Sequence, residues 1–146
     1  MIDTQWIGWA SPPSTVAVEK GRLRFFAKAI GETNPIYSDE AAAQAAGYRS
    51  LPVLPTFLFC LGVEDASPLK LLDMLNVRLE QILHGEQSFT YHQSVCAGDR
   101  ITFQATISDI YARKGGALEL IVQDTTARNQ DAVLVGEMRS VTIVRN

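Results

Sequence analysis

The segment Arg100–Ile107 reads RITFQATI, and its polar and apolar residues alternate at every position. Side chains of a β-strand point alternately to opposite faces, so this pattern predicts a strand with one buried face and one solvated face. The alternation loses its phase at Ser108-Asp109, which indicates a β-bulge. A half-solvated strand is typical of an antiparallel sheet, because parallel sheets are usually covered on both faces.

Three further segments carry strand signals. Phe89 and Tyr91 alternate with polar residues, Leu118–Val122 has Leu or Val at every second position, and Val133–Val144 is rich in β-branched residues. Gly115-Gly116 predicts a hairpin turn between two long strands. Taken in chain order, the four strands predict an antiparallel meander.

The residues before these strands predict helices. The first helix ends at Gly31, in the usual position of a C-terminal cap glycine, and its apolar stripe has helical spacing at Leu23, Phe26, Ala27 and Ile30. A second, short helix begins with Ser38 as N-cap and ends at Gly47. A third begins at Ser67-Pro68 and reaches about Val77.

The order of these elements predicts the fold class. A short β-branched segment, Thr15–Val18, precedes the helices and predicts an edge strand. One short strand, then helices, then four strands predict an α+β fold with helices on one face of an antiparallel sheet. The chain of 146 residues, 47% hydrophobic and 20% charged, suits a single domain over residues 1–146. The edges of such a sheet need cover, which pairing across a two-fold axis would supply.

Composition excludes several classes of function. The net charge of −3 and the pI near 5.3 give no basic face for nucleic acid. The most apolar stretch, Leu51–Val63, is too short and too interrupted by proline to span a membrane. The start of the chain lacks the basic region of a signal peptide. Cys60 and Cys96 form no C-x-x-C pair, so we expect free thiols in the cytoplasm. The two histidines have no metal-ligand spacing, and we predict neither metal nor cofactor.

The segment Gly31–Asp39 reads GETNPIYSD and carries the chemical signal of the chain. Glu32 is followed two and three residues later by Asn34-Pro35, a common turn pair, and five residues later by Tyr37. This spacing resembles the G-D-x-N-P-x-H hydratase motif of MaoC-like proteins. The segments LPVLPTF at 51–57, HGEQ at 84–87 and VCAGD at 95–99 resemble the N-terminal-type MaoC domain, also called the fatty-acid-synthase-like dehydratase domain.

The resemblance implies a fold, an activity and a set of site residues. It implies a single hot-dog fold, in which an antiparallel sheet wraps around a central helix. It implies hydration of trans-2-enoyl thioesters or dehydration of (3R)-hydroxyacyl thioesters, in which an acid and a ring side chain act on one bound water. The matching candidates here are Glu32, Asn34 and Tyr37, with His84 as a further catalytic candidate. The implied substrate-binding residues are Pro55, Thr56, Phe57 and Gly85.

Two positions depart from the motif. Glu32 stands where the family has Asp, and Tyr37 stands where it has His. The longer carboxylate displaces the reacting atom, and a phenol with a pKa near 10 is a poor base at neutral pH. N-terminal-type domains often pair with a second hot-dog domain that holds the working dyad. We therefore predict a hydratase or dehydratase component that binds acyl-CoA or acyl-ACP as a homodimer or as a heterodimer with a catalytic MaoC-like subunit.

Two alternatives stay open from the sequence. A hot-dog thioesterase would use a carboxylate on the central helix, where Glu64, Asp65 or Asp73 could serve. The Asn-Pro turn argues against it, and release of a free thiol would reveal it. The second alternative is a protein that binds acyl thioesters without catalysis.

Overall fold

The computed structural model describes residues 1–64 and 67–146. Its sheet is five-stranded and antiparallel throughout. The strands are β1 (Ser14–Ala17), β2 (Ile82–Tyr91), β3 (Arg100–Arg113), β4 (Leu118–Arg128) and β5 (Leu134–Arg145). The predicted edge strand and the four later strands are therefore confirmed.

Among the described residues, four α-helices lie between β1 and β2: the three that the residue pattern predicts, and the central helix that the resemblance implies. They are α1 (Lys20–Ala29), α2 (Glu40–Ala45), α3 (Phe57–Gly62) and α4 (Ser67–Met74), and α3 is the central helix. Short 3-10 helices cover Thr4–Trp6, Pro35–Tyr37, Leu79–Gln81 and Lys114–Gly116. Within the described residues, no helix has the length and apolar character needed to cross a bilayer.

The helix ends match the sequence predictions with one correction. Gly31 has φ of 72° and follows α1 in the left-handed conformation that favours glycine. The N-cap of α2 is Asp39 rather than Ser38, because the Asp39 carboxylate accepts hydrogen bonds from the amides of Ala41 at 2.8 Å and Ala42 at 3.4 Å. Ser38 instead follows the 3-10 helix before it.

The strands do not follow one another across the sheet as a meander would. Their order is β1-β3-β4-β5-β2, so β2 pairs with β5 rather than with β3. The connection from β2 to β3 has to pass β5 and β4. It is held by an isolated bridge between Pro52 and Cys96 and by the Val53 amide, which donates to the Val95 carbonyl at 2.8 Å. Local alternation predicts strands but does not encode which strands pair.

The turn and the bulge of the β3–β4 hairpin are confirmed. The pairing register shifts between Ile107 and Asp109, where the sequence alternation loses its phase. The turn uses Gly115 and Gly116 at φ of 64° and 94°, values that glycine adopts without steric cost.

The alternation in β4 predicts that Leu118 and Leu120 face the core, and at the start of the strand this prediction is wrong. Glu119 and Ile121 are buried, whereas Leu118 and Leu120 are half-buried on the other face. Burial of Glu119 is possible because its carboxylate accepts a hydrogen bond from the amide of Ile2 at 2.6 Å. A buried charge of this kind depends on a partner from the other end of the chain, which the strand pattern cannot reveal.

The sheet wraps around α3, as the hot-dog resemblance implies. This helix contacts both edge strands: it lies against β1, and the Phe59 ring meets the His84 ring of β2 at a centroid distance of 6.1 Å. Five strands at about 4.8 Å spacing span about 19 Å, more than the diameter of one helix. A single helix can touch both edges because the sheet curves around it.

Two hydrophobic clusters lie on the helix-covered face. The first packs α1, α2 and α3 against the sheet, with Leu23, Leu58 and Leu61 fully buried. The second packs α4 and the N-terminal segment against Ile107 and Ile121. Full burial of one such aliphatic side chain contributes about 1.5–3 kcal/mol to the free energy of unfolding.

Candidate functional site

The motif loop between α1 and α2 holds its polar groups in local turns. The Asn34 side chain accepts a hydrogen bond from the Ile36 amide at 3.2 Å and caps the 3-10 helix Pro35–Tyr37. The Glu32 carboxylate accepts a hydrogen bond from the Asn34 amide at 2.8 Å. Both side chains therefore stabilise the shape of the loop, and that shape carries Tyr37 toward the interior.

Tyr37 lines a cavity of about 330 Å³, which we call the tyrosine cavity. Tyr48, Tyr91 and Pro55 line it as well, so the motif loop and the segment before α3 meet in one place. Glu32 does not line it. The full lining comprises Tyr37, Tyr48, Pro52, Val53, Pro55, Leu58, Tyr91, His92, Gln93, Ser94 and Val95.

The surroundings of Tyr37 hold its phenol in the protonated state. Partial burial, the neighbouring Tyr48 phenol and the Glu32 carboxylate all raise the pKa of Tyr37 above its usual value. A protonated phenol donates a hydrogen bond but cannot accept a proton from water at neutral pH.

The three predicted substrate-binding residues before and within α3 have different surroundings. Pro55 lines the tyrosine cavity, whereas Phe57 is buried and packs on Phe26 with ring centroids 4.8 Å apart. Thr56 between them has φ of 75°, which is unusual for a β-branched residue. Its amide donates to the Tyr91 hydroxyl at 2.8 Å. This hydrogen bond holds a strained residue at the start of α3.

A buried carboxylate holds the chain just after Val95, the last residue that lines the tyrosine cavity. Asp99 accepts hydrogen bonds from the Arg49 guanidinium at 2.8 and 2.9 Å, from the Cys96 amide at 2.9 Å and from the Gln130 side chain at 3.1 Å. Burial by itself raises the pKa of Asp99, but these hydrogen bonds outweigh it and hold the pKa below its usual range. These contacts give Asp99 a structural role in the fold.

A second cavity, of about 460 Å³, lies between the sheet, α3, α4 and the N-terminal segment. We call it the sheet cavity. His84 lines it and is seven residues from Tyr91 along β2, a separation of about 23 Å. The structure therefore places His84 apart from Tyr37 of the motif loop, which lines the other cavity. A catalytic role for His84 stays a prediction.

Gly85 lies at a bulge in the pairing of β2 with β5. A Cβ atom at this position would approach two Ile143 side-chain carbons at 3.0 Å and the Val141 carbonyl oxygen at 3.1 Å. Glycine is thus required for the close approach of the two strands, whatever its part in substrate binding.

Two of the three carboxylates of the thioesterase alternative, Glu64 and Asp73, lie outside both cavities. Glu64 forms an ion pair with Arg22, and Asp73 is exposed on α4. Neither lines the tyrosine cavity or the sheet cavity. Asp65 lies outside the described residues. Across residues 1–64 and 67–146, no group of three His, Cys, Asp or Glu side chains could hold a metal ion.

The sequence interpretation missed residues in both cavities. Tyr48 and Tyr91 join Tyr37 only because the chain folds back on itself. In the sheet cavity, the polar residues Gln123 and Ser140 occupy the helix-facing phase of β4 and β5. The sequence does contain a signal for them, because Gln123 and Ser140 each lie two residues after an apolar residue on the same face of the strand. A prediction of strands alone does not use this signal.

Comparison with known proteins places this geometry in a family. The profile of the FAS1-like dehydratase domain region matches residues 5–138. A UPF0336 protein of Streptomyces avermitilis is 35% identical over 115 residues, which cover 78% of this chain and 77% of that protein. A second, of Thermobifida fusca, is 33% identical over 146 residues, which cover 98% of this chain and 92% of the relative.

Solved structures share the fold. A chain of the HadBC (3R-hydroxyacyl-ACP dehydratase) complex from Mycobacterium tuberculosis is 27% identical, with a TM-score of 0.79 over 94% of this chain and 96% of that chain. A chain of the ChsH1-ChsH2 complex of the same organism is 24% identical, with a TM-score of 0.72 over 94% and 89%. The hot-dog fold of MaoC-like dehydratases is thereby confirmed.

Proposed function

The chain belongs to the family of FAS1-like dehydratase domains, and from this membership we propose that it is the non-catalytic subunit of a two-subunit hydro-lyase. The substrate of the pair is a trans-2-enoyl thioester in hydration, or a (3R)-hydroxyacyl thioester in dehydration. The thiol carrier is coenzyme A or acyl carrier protein. The catalytic acid and histidine come from a second hot-dog subunit. The two free thiols, Cys60 and Cys96, support a cytoplasmic location for the pair.

The observation that carries this proposal is the environment of Tyr37. Hydration needs one group that takes a proton from water and one that delivers a proton to the α-carbon. Tyr37 occupies the ring position of the motif, and its pKa is raised, so its phenol stays protonated at neutral pH. The nearby carboxylate of Glu32 is engaged by the Asn34 amide and does not line the tyrosine cavity. The loop therefore lacks a general base in the position where the chemistry needs one.

The amide at the start of α3 supports the same conclusion. An N–H in this region could polarise a thioester carbonyl and stabilise the enolate that forms. In this chain the Thr56 amide already donates to the Tyr91 hydroxyl at 2.8 Å. A substrate carbonyl would have to displace that hydroxyl. The Thr56 amide and the Tyr91 hydroxyl thus hold each other in place at the tyrosine cavity.

The free edge of the sheet supports a partner subunit. The ten-residue strand β2 lies at the end of the strand order and pairs with β5 on one side alone. An unpaired edge of this length exposes backbone donors and acceptors that another strand can cover. The two similar chains from Mycobacterium tuberculosis belong to complexes of two components, HadBC and ChsH1-ChsH2. We propose that this chain pairs with a different hot-dog subunit in the same way, in preference to a second copy of itself.

The test is a spectrophotometric assay of enoyl-thioester hydration with the purified chain alone and with an Asp–His hot-dog partner. We expect little or no turnover for the chain alone. We expect the mixture to turn over about 10²–10⁴-fold faster than the chain alone, the usual contribution of a positioned acid–base pair, and faster than the sum of the two separate rates. The Tyr37→Phe variant should leave the rate of the mixture nearly unchanged.

Three outcomes would decide against this proposal. Rapid turnover by the chain alone that disappears in Glu32→Ala would make it an enzyme with an altered dyad. Release of a free thiol would identify a thioesterase. Tight thioester binding without hydration, both for the chain alone and with a partner, would mean that the chain is a binding protein with no part in catalysis.

A further inference from the structure

The helix-covered face of the sheet carries a band of polar residues between the two hydrophobic clusters. We call the residues Gln87, Gln123, Thr125, Ser140 and Thr142 the polar band. All five line the sheet cavity. None of them is buried: Gln87 is exposed and the other four are half-buried. Their polar groups therefore remain open to solvent or to a ligand inside the sheet cavity.

The strand pairing brings the centre of the band into one row. Ser140 of β5 pairs with Gln87 of β2 on one side and with Gln123 of β4 on the other. Neighbouring strands lie about 4.8 Å apart, so the three side chains form a row about 10 Å long. The row crosses the floor of the sheet cavity.

Most side chains of the polar band form no hydrogen bond with another described residue. Among the described residues, the side chains of Gln123, Ser140 and Thr142 form no hydrogen bond with another protein group, and none of their polar atoms is sealed off without a partner. They face the open space of the sheet cavity. By contrast, Gln87 donates to the Ser88 carbonyl at 3.3 Å.

The chemistry of the band defines what it can bind. A glutamine amide offers two donors and one acceptor oxygen, and a serine hydroxyl donates and accepts. The band itself carries no charge, so it suits a neutral oxygen such as a hydroxyl or a keto group. The neighbouring lining is apolar on both sides, with Phe103 and Met138 toward one cluster and Ile121 toward the other. This arrangement fits a mostly apolar chain with one oxygen function partway along it.

We infer that the sheet cavity binds the acyl chain of the thioester and selects chains that carry a hydroxyl or keto group beyond the reacting carbons. The inference rests on the proposed function for the thioester itself and adds the class of acyl chain. A plain alkyl chain would displace water from Gln123 and Ser140 and leave them without partners. A site built to hydrogen-bond a ligand oxygen discriminates strongly against the analogue that lacks it.

The test compares N-acetylcysteamine thioesters of octanoate with a series of oxo-octanoates in which a keto group occupies successive carbons beyond the third. Dissociation constants are measured on the full chain by calorimetry. Trp9 lines the sheet cavity, so a change in its fluorescence reports binding there. We expect at least one oxo-octanoate to bind about tenfold more tightly than octanoate.

The double variant Gln123→Leu/Ser140→Ala should remove that preference and bring the two dissociation constants to within about twofold. The matched control is Ser88→Ala, an exposed serine of β2 outside the sheet cavity, which should keep it. Calorimetry of the wild-type chain needs no variant and so stands even if the double variant folds poorly.

The inference fails if octanoate binds as tightly as every oxo-octanoate, or if the double variant keeps the preference. It also fails if no thioester in the series alters the Trp9 signal. The proposed function is judged separately, by hydration with the partner. Hydration without chain preference would overturn the inference alone, and preference without hydration would overturn the proposed function alone.

Discussion

The tyrosine cavity and the sheet cavity are similar in size, about 330 Å³ and about 460 Å³, but they use their polar groups differently. Around the tyrosine cavity, the Tyr91 hydroxyl accepts from Thr56 and His92 contacts Glu137 at 2.8 Å. In the sheet cavity, Gln123 and Ser140 face open space. Tyr91 and His92 thus use their polar groups to hold the wall of the tyrosine cavity, whereas Gln123 and Ser140 form no hydrogen bond with another described residue.

This difference indicates that, in a chain with an altered motif, a candidate binding site can lie outside the motif loop. The motif loop draws attention because it resembles a catalytic sequence, yet its side chains stabilise the loop. The polar band resembles no motif, yet its Gln123 and Ser140 side chains face a cavity without a hydrogen-bond partner among the described residues. Substitutions should therefore have opposite effects in the two cavities.

The largest effect should come from the Asp99 network, which holds the chain just after Val95 of the tyrosine cavity. The Asp99→Ala variant leaves the buried Cys96 amide without an acceptor and removes the partner of Arg49. We expect the free energy of unfolding to fall by about 3 kcal/mol, measured by urea denaturation. The control is Asp124→Ala, which breaks an exposed ion pair with Arg139 and should cost less than about 1 kcal/mol. Equal losses in the two variants would contradict the network.

The same network gives a pH dependence with a defined sign. Because the folded-state pKa of Asp99 is lowered, its contribution is present above the usual carboxyl pKa of about 3.9 and is lost as the pH falls through the lower folded-state value. The stability difference between the wild-type chain and Asp99→Asn should therefore shrink as the pH falls below about 4.

A smaller loss should follow from Tyr91→Phe. The variant removes the hydroxyl that accepts from the strained Thr56 amide, while the ring can remain in place. We expect a loss of about 0.5–1.5 kcal/mol in thermal or urea denaturation, the net worth of one hydrogen bond. Tyr111→Phe on β3 is the matched control, since its hydroxyl makes no hydrogen bond with the described residues. If both variants lose the same stability, the Tyr91 contact does not hold the wall.

The smallest effect should have the opposite sign. The variant Gln123→Leu/Ser140→Ala replaces polar side chains that form no hydrogen bond with another described residue by apolar ones. We expect the free energy of unfolding to rise by about 0.5–1 kcal/mol, because sites kept for ligands often cost stability. Ser88→Ala should leave it unchanged. A clear loss of stability in the double variant would mean that the band supports the fold, and the contrast between the cavities would disappear.

The fold was largely predictable, and the site was predictable in part. Strict alternation in Arg100–Ile107 and the glycine pair Gly115-Gly116 were sufficient for the hairpin, because both signals are local. Tyr37 and Pro55, both named as candidate site residues through the resemblance, line one cavity. The phase of β4 could not be predicted, because the burial of Glu119 depends on the amide of Ile2 from the far end of the chain.

The sequence by itself determined the α+β class, the elements and the altered motif, since periodicity, turn residues and residue identity are local properties. The tertiary structure alone decided that β2 pairs with β5. That pairing puts Gln87 beside Ser140 and, through it, in line with Gln123. It also decided that Tyr91 reaches Thr56 while His84 lies in the other cavity. The physical reason is that strand pairing and burial are set by contacts between residues distant in sequence, which no single segment specifies.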